Sequence, residues 1–468
     1  MFKYKNITGF LALGLLLACS VPKDSVQSVV QPPENYRDIQ SDSISAASVP
    51  WKSFFPDTEL NVLIDRALVN NNDLKIALTN LEMAQLTLSQ AKMGNIPTLD
   101  LSATAASARL SDNSINGMNT ANAFGSHHIE DYNLTARLSW EADIWGKIKS
   151  QKAAALAGYL QSDEARKAVQ TQIVSSVAKG YYNLLLLDTQ LDIAKRNVQL
   201  NDSTLTMIKL QFESGQVTSL AVQQAEALKL NAQRLVPFFE QETAIQENAL
   251  SILIGENPQA IKRLTSLGTL NVSKDLSAGL PSSLLSRRPD VKFQEYALSK
   301  ANAEIGYARA NMYPSLVITA QAGLNSFQAS NWFNIPASLF GTVAGGLTQP
   351  LFRKKELRTQ YELAKLGREK AVINFRQSVL KAVGEVSDAL LKIDKLEEQE
   401  TIASQRAATL KKATINSNLL FKNGLATYLE VITAQGNVLQ SELELAALKK
   451  ARLDAAVDLY RSAGGGWN

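Results

Sequence analysis

Proline is missing from two very long stretches of this chain. None of the 13 prolines falls between Pro97 and Pro237, and none follows Pro350, which leaves gaps of about 139 and 118 residues. Proline removes a backbone donor and clashes with the preceding helical turn, so its absence over such spans predicts long uninterrupted helices. Apolar residues recur every three or four positions in the first gap, at Val169, Ile173, Val177, Tyr181 and Leu184 and later at Val198, Leu205, Ile208 and Phe212. That is the stripe of an amphipathic or coiled-coil helix. Helices from Lys147 to Phe212 and from Arg353 to Phe421 would each measure roughly 100 Å at 1.5 Å per residue. Gly158, Gly180 and Gly384 are the weak points in them, and a stack of shorter helices is the alternative.

The two tracts belong to a duplication. The segment Asp73 to Ala105 matches Asp290 to Ala322 at an offset of 217, each running through an Ala-rich stretch to a proline, Pro97 or Pro314. A second match has an offset of 209 and pairs Phe212, Gly215, Thr218 and Leu220 with Phe421, Gly424, Thr427 and Leu429. Two matches in the same order make the chain two copies of one large unit, since a period near 210 residues is too long for a solenoid. Gly215 and Gly424 suit the tight turns of helical hairpins, because glycine accepts a positive φ. The expected division is residues 57–270 for the first copy and 271–468 for the second, with helical hairpins over 147–255 and 353–461.

Between each proline and its long helix lie two strand-like runs separated by a polar loop. From Tyr132 to Ile144 the chain alternates strictly, with Leu134, Ala136, Leu138, Trp140 and Ala142 on one side and Arg137, Glu141 and Asp143 on the other. Such a period-two pattern is a strand between two very different environments. Strands are expected at about 98–110, 131–144, 315–325 and 338–349. Four strands cannot close a membrane barrel, which needs at least about eight and no free edge, so a membrane sheet would require several chains. The alternative is a small soluble sheet with one buried face. Tyr132, Trp140, Trp332 and Phe333 lie near strand ends, where aromatic residues mark membrane interfaces. Adjacent His127 and His128 read as part of an exposed loop.

The N-terminus has Lys3 and Lys5 before an apolar run from Ile7 to Ala18, ending Leu16-Leu17-Ala18-Cys19. The run is too short to span a bilayer and reads as a signal peptide, residues 1–18. It resembles a bacterial lipobox, which implies that Cys19 carries lipid; residues 19–56 then form an extended tether. One cysteine and two histidines leave no disulfide framework and little material for a metal site, and no cofactor is expected beyond that covalent lipid. A net charge of +4 argues against nucleic acid. No nucleophile–base pair or phosphate loop is present, so no enzyme is expected.

Taken together, Leu280-Pro281, Arg287-Arg288-Pro289-Asp290, the run Ala301 to Gly306 and the closing Leu459-Tyr460-Arg461 with Gly464-Gly465-Gly466-Trp467 resemble the TolC-like outer-membrane efflux proteins, especially the lipid-anchored NodT/OprM branch. The resemblance covers nearly the whole mature chain. It implies a mainly α protein with a membrane β-barrel, built as a homotrimer whose twelve shared strands continue into periplasmic coiled-coil helices. It places the protein in the outer membrane of a Gram-negative bacterium, as the exit duct of a tripartite pump for drugs or other small toxic compounds. The implied partners are a periplasmic adaptor and an inner-membrane pump of the RND type. Gly215, Thr218, Leu220, Gly424, Thr427 and Leu429 match the tip that meets the adaptor, and Glu430 matches the first acidic position of the tip aperture. Thr433 stands where one branch has a second acid. A duct for secreted polypeptides and a non-channel scaffold lipoprotein are the alternative readings.

Overall fold

The computed structural model describes residues 33–36, 45–270 and 277–467. The signal segment, Cys19 and most of the expected tether lie outside the described residues; the described part departs from an extended tether, since Ala46–Ser48 and Trp51–Phe54 are helical turns and Trp51 and Phe55 are buried in an apolar cluster. The main elements are α1 (Thr58–Asn70), α2 (Asn72–Lys92), β1 (Thr98–Arg109), α3 (Ile115–Phe124), β2 (His128–Ala142) and α4 (Lys147–Glu213). They continue with α5 (Ser219–Leu253), α6 (Pro289–Ala310), β3 (Ser315–Ser326), β4 (Leu339–Thr348), α7 (Glu356–Lys422) and α8 (Tyr428–Ser462). Both proline-free tracts do contain one continuous long helix. α4 and α7 have 67 residues each, and α5 and α8 have 35 each. An offset of 209 carries the first helical hairpin onto the second, residue for residue, and β1 and β3, related by 217, have 12 residues each.

Three details differ from the sequence expectation. Pro237 sits inside α5, where it leaves the Gln233 carbonyl without its usual helical donor. A 35-residue helix tolerates one missing bond when its other turns are packed. The polar segment between β1 and β2 contains the helix α3, which its Asn, Gly and Thr content disguises. β2 starts at His128 and ends at Ala142, because pairing with all of β1 extends it beyond the strictly alternating stretch.

The described chain falls into two compact units, and each draws on both sequence copies. Of the described residues, one contains 82–160 and 296–373, the other 33–36, 45–81, 161–270, 277–295 and 374–467. The first holds an antiparallel sheet in the order β1-β2-β3-β4. Its register sets Leu134, Ala136 and Leu138 against Leu324, Ala322 and Ala320, so the apolar positions share one face. Leu324 on that face is buried, but the face is bare along the edge strands. Leu99, Leu101, Val343 and Leu347 are each about 70–80% exposed, and among the described residues no strand residue belongs to an apolar core cluster. Helix packing in this unit is close where Gly306 faces Ser150, since a Cβ there would lie 2.8 Å from the serine oxygen.

In the second unit the predicted stripe is the core. Ile173, Val177, Tyr181 and Leu184 are buried against Phe55, Leu60, Ile64, Val457 and Tyr460. The Tyr181 hydroxyl donates to Asp57 at 3.0 Å, while the other oxygen of Asp57 caps α1 by accepting from the Glu59 and Leu60 amides. The Arg-Arg-Pro-Asp mark is a structural hub. Arg288 is almost fully buried and donates to Asp290 at 2.6 and 2.9 Å, to Glu385 at 2.9 Å and to the Ser462 carbonyl at 3.1 Å. The closing glycines fit against it: Gly464 has φ +97° and packs on the Arg287 carbonyl, which also accepts from the Trp467 indole at 3.2 Å.

Candidate functional site

The two hairpin turns, 209 residues apart, meet in the helical unit. α4 ends with the Gly215 amide donating to the Phe212 carbonyl at 2.9 Å and the Gln216 amide to the Gln211 carbonyl at 2.8 Å. α7 ends alike, with Gly424 donating to Phe421 at 3.1 Å and Leu425 to Leu420 at 2.9 Å. Gly215 and Gly424 have φ of +72° and +73°, which is why glycine occupies both positions. Thr218 and Thr427 are the N-caps of the returning helices α5 and α8. Leu205, Ile208, Ala221, Ala225, Phe421 and Val431 form one buried cluster that ties the turns together. The structure places Gly215, Thr218 and Leu220 at the first hairpin turn and Gly424, Thr427 and Leu429 at the second, at one end of the helical hairpins.

The surface of this end is mixed. Leu220, Leu429 and Leu425 are more than half exposed, and both glycines have open space at the Cβ position. Exposed leucines on these turns offer apolar surface. Glu430 is exposed, and its carboxylate accepts from the Thr427 amide at 2.6 Å, so it caps its own helix. Its counterpart in the first copy is the fully buried Ala221, so only the second turn carries the acid.

A polar seam behind the turns escaped the sequence reading. Gln435 donates to the Thr204 hydroxyl at 2.7 Å, and the Thr414 hydroxyl reaches the Ala434 carbonyl at 3.2 Å. Asn201 donates to Asn197 at 2.9 Å. Asn197, Asn201, Thr204 and Gln435 are all buried, and Asn201 Oδ1 and Gln435 Oε1 lack hydrogen-bond partners. The available signal was the spacing of four and three that sets Asn197, Asn201 and Thr204 on one helix face. Among the described residues no group of His, Cys, Asp or Glu side chains is arranged to hold a metal ion.

A family model described as Outer membrane efflux protein matches residues 63–256 and again residues 280–465. The chain belongs to that family. The cation efflux system protein CusC of Escherichia coli is 28% identical over 97% of this chain and 96% of its own length. The solvent efflux pump outer membrane protein SrpC of Pseudomonas putida is 30% identical over 100% of this chain and 99% of its own. The probable outer membrane lipoprotein SilC of Salmonella typhimurium is 25% identical over the full length of both. Among solved structures, the open state of the Neisseria gonorrhoeae MtrE outer membrane channel superposes with a TM-score of 0.84 at 26% identity, over 96% of this chain and 99% of that one. This efflux protein is thus an outer-membrane channel component, non-enzymatic like its family. Membership also accounts for a sheet whose edge strands leave Leu99, Leu101, Val343 and Leu347 exposed, as the lipid-facing side of a barrel strand is. No described helix of the efflux protein is long and apolar enough to cross a membrane.

Proposed function

We propose that three copies of this chain close one twelve-stranded barrel and form the passive exit duct of a tripartite efflux system, with most of the chain in the periplasm. The observation that carries this reading is the four-stranded sheet with two unpaired edges and an exposed apolar face. The internal repeat supplies a register for closing it. β1 maps onto β3 by 217 and β2 onto β4 by 209. The β2–β3 pair Leu138 with Ala320 then predicts Leu347 opposite Ala103 of the partner subunit. This keeps apolar faces together, whereas a one-residue slip would oppose them. Oxidation of the L347C/A103C variant should link subunits covalently, and the L347C/T104C control should not. Links only in the control, or only within one chain, would overturn the closure.

The tip residues Gly215, Thr218, Leu220, Gly424, Thr427 and Leu429 are proposed to meet a periplasmic adaptor, which couples the duct to an inner-membrane pump of the RND type. Support comes from the paired turns and their exposed leucines. Photocrosslinkers at Ser219 or Tyr428 should capture the adaptor; capture only from the strand loops would contradict this. Relatives are named for cations, solvents and pyoverdine, and the proposed cargo is correspondingly small molecules such as drugs and other toxic compounds. Cys19 is proposed as the lipidated residue, supported by a relative named as a lipoprotein. Cys19→Ser should abolish palmitate labelling and leave the barrel inserted.

A further inference from the structure

The two copies differ sharply at one point, where the last strand of each passes into its long helix. Gly146 precedes α4 with φ +73°, and the equivalent position before α7 is Lys355 with φ +65°. Its neighbour Lys354 is also left-handed, at φ +47°. Side chains are disfavoured in that region, and the first copy shows the glycine solution. The second copy instead places two lysines there, next to Arg353. In the first copy Asp143 caps α4 by accepting from the Ile148 and Lys149 amides at 2.9 Å each; its counterpart is Phe352. The second copy thus gives up an acidic cap and sets three cations at the positive end of a helix, where cations are disfavoured.

No local partner offsets this. Arg353, Lys354 and Lys355 are exposed, and among the described residues none of them is in an ion pair. The nearby acids have partners of their own. Glu141 pairs with Lys147 at 3.0 Å, Asp143 is spent on its cap, and Glu356 accepts from Gln360 at 3.3 Å. Just before the cations, Leu351 is 92% exposed and Phe352 84%. Leu351 continues the odd-numbered face of β4, on which Leu339, Val343 and Leu347 are exposed. Trp145 stacks on Tyr313 at 4.8 Å at this same end of the sheet, as residues at a membrane interface do.

We propose that Leu351–Lys355 is an interfacial anchor. Leu351 and Phe352 enter the acyl boundary of the periplasmic leaflet, and Arg353, Lys354 and Lys355 bind the phosphates of anionic phospholipid. The proposal rests on the membrane-barrel reading and deepens it. The test uses the full-length protein in neutral detergent, titrated with phosphatidylglycerol or phosphatidylcholine of identical acyl chains, with bound lipid counted by native mass spectrometry. Wild type should prefer phosphatidylglycerol. Each single substitution R353Q, K354Q or K355Q should weaken that binding about fivefold, and the triple variant should abolish the preference. The K354G/K355G variant should lose the preference while unfolding at a higher temperature, because glycine relieves both left-handed positions. Equal binding of the two lipids by wild type, or an unchanged preference in the triple variant, would overturn the proposal. So would a stabilised K354G/K355G variant that keeps its preference. Planar-bilayer conductance of the same variants separates the two levels: conducting channels without lipid preference refute the anchor alone, and silence of wild type and of Glu430→Gln alike counts against the barrel reading beneath it.

Discussion

Replacing Arg288 by methionine tests what holds the helical unit together. The guanidinium is only 4% exposed and serves Asp290, Glu385 and the Ser462 carbonyl at the end of α8. Breaking a buried charge cluster by removing one member costs about 3–5 kcal/mol. Two features set the lower end here. Glu385 keeps Arg461 at 3.6 Å and Lys381 at 3.9 Å, and Asp290 is 47% exposed and can rehydrate. We expect R288M to lose about 3 kcal/mol and D290N about 1.5 kcal/mol. R288M/D290N should lose about 1 kcal/mol less than the sum of the two, because the orphaned carboxylate is gone. The assay is unfolding of the full-length protein in detergent followed by helical circular dichroism. R288M within about 0.5 kcal/mol of wild type, the size of an ordinary surface change, would refute the hub. Strict additivity of the double variant would refute the coupling. The pH dependence has a definite sign. Burial pushes the Asp290 carboxyl up, but its hydrogen bond and charge contact with Arg288 outweigh this and hold it below the usual range. Its stabilisation is therefore complete above the ordinary aspartate value of about 3.9 and is lost as pH falls through the lower folded value. D290N should flatten that acid limb.

Other outcomes follow from the turns and the seam. Gly215→Ala and Gly424→Ala should each cost about 1–2 kcal/mol through the positive φ alone, since open space surrounds both; unchanged melting temperatures would contradict the turn geometry. Glu430→Gln keeps an acceptor for the Thr427 amide but removes the charge, so it should lower the cation preference of the channel with little loss of stability. Glu430→Ala should also cost about 1 kcal/mol of cap, and equal selectivity in all three proteins would refute the aperture role. Gly465→Ala would place a Cβ 2.6 Å from the Tyr460 ring and should destabilise by about 1–3 kcal/mol, measured as a lower melting temperature.

Much of the fold was legible because its signals are long. Proline exclusion and the repeat act over dozens of residues, and the helices they predict agree with α4 and α7 to within three residues at each end. The stripe through Ile173, Val177 and Tyr181 was legible because burial follows the helical period. α3 and Pro237 were not, because each depends on tertiary packing overriding a local preference. The polar seam was hidden for a related reason: Gln435 is polar, yet its burial depends on Thr204, 231 residues away. At the site, the sequence found the turns but not the use of Glu430. A capping box leaves its mark in Thr427-x-x-Glu430, and the structure shows Glu430 bonded to the Thr427 amide of its own helix.

The equal helix lengths act as a common gauge. With 67 residues out and 35 back in both copies, the two glycine turns arrive at the same level, where Ile208 and Phe421 share a cluster. A deletion of seven residues in one hairpin alone would retract its turn by about 10 Å and leave the other without its neighbour, while the same deletion in both would keep them level. Changes in hairpin length therefore keep the two turns level only when made in matched pairs, and the length of each hairpin is heritable information stored twice.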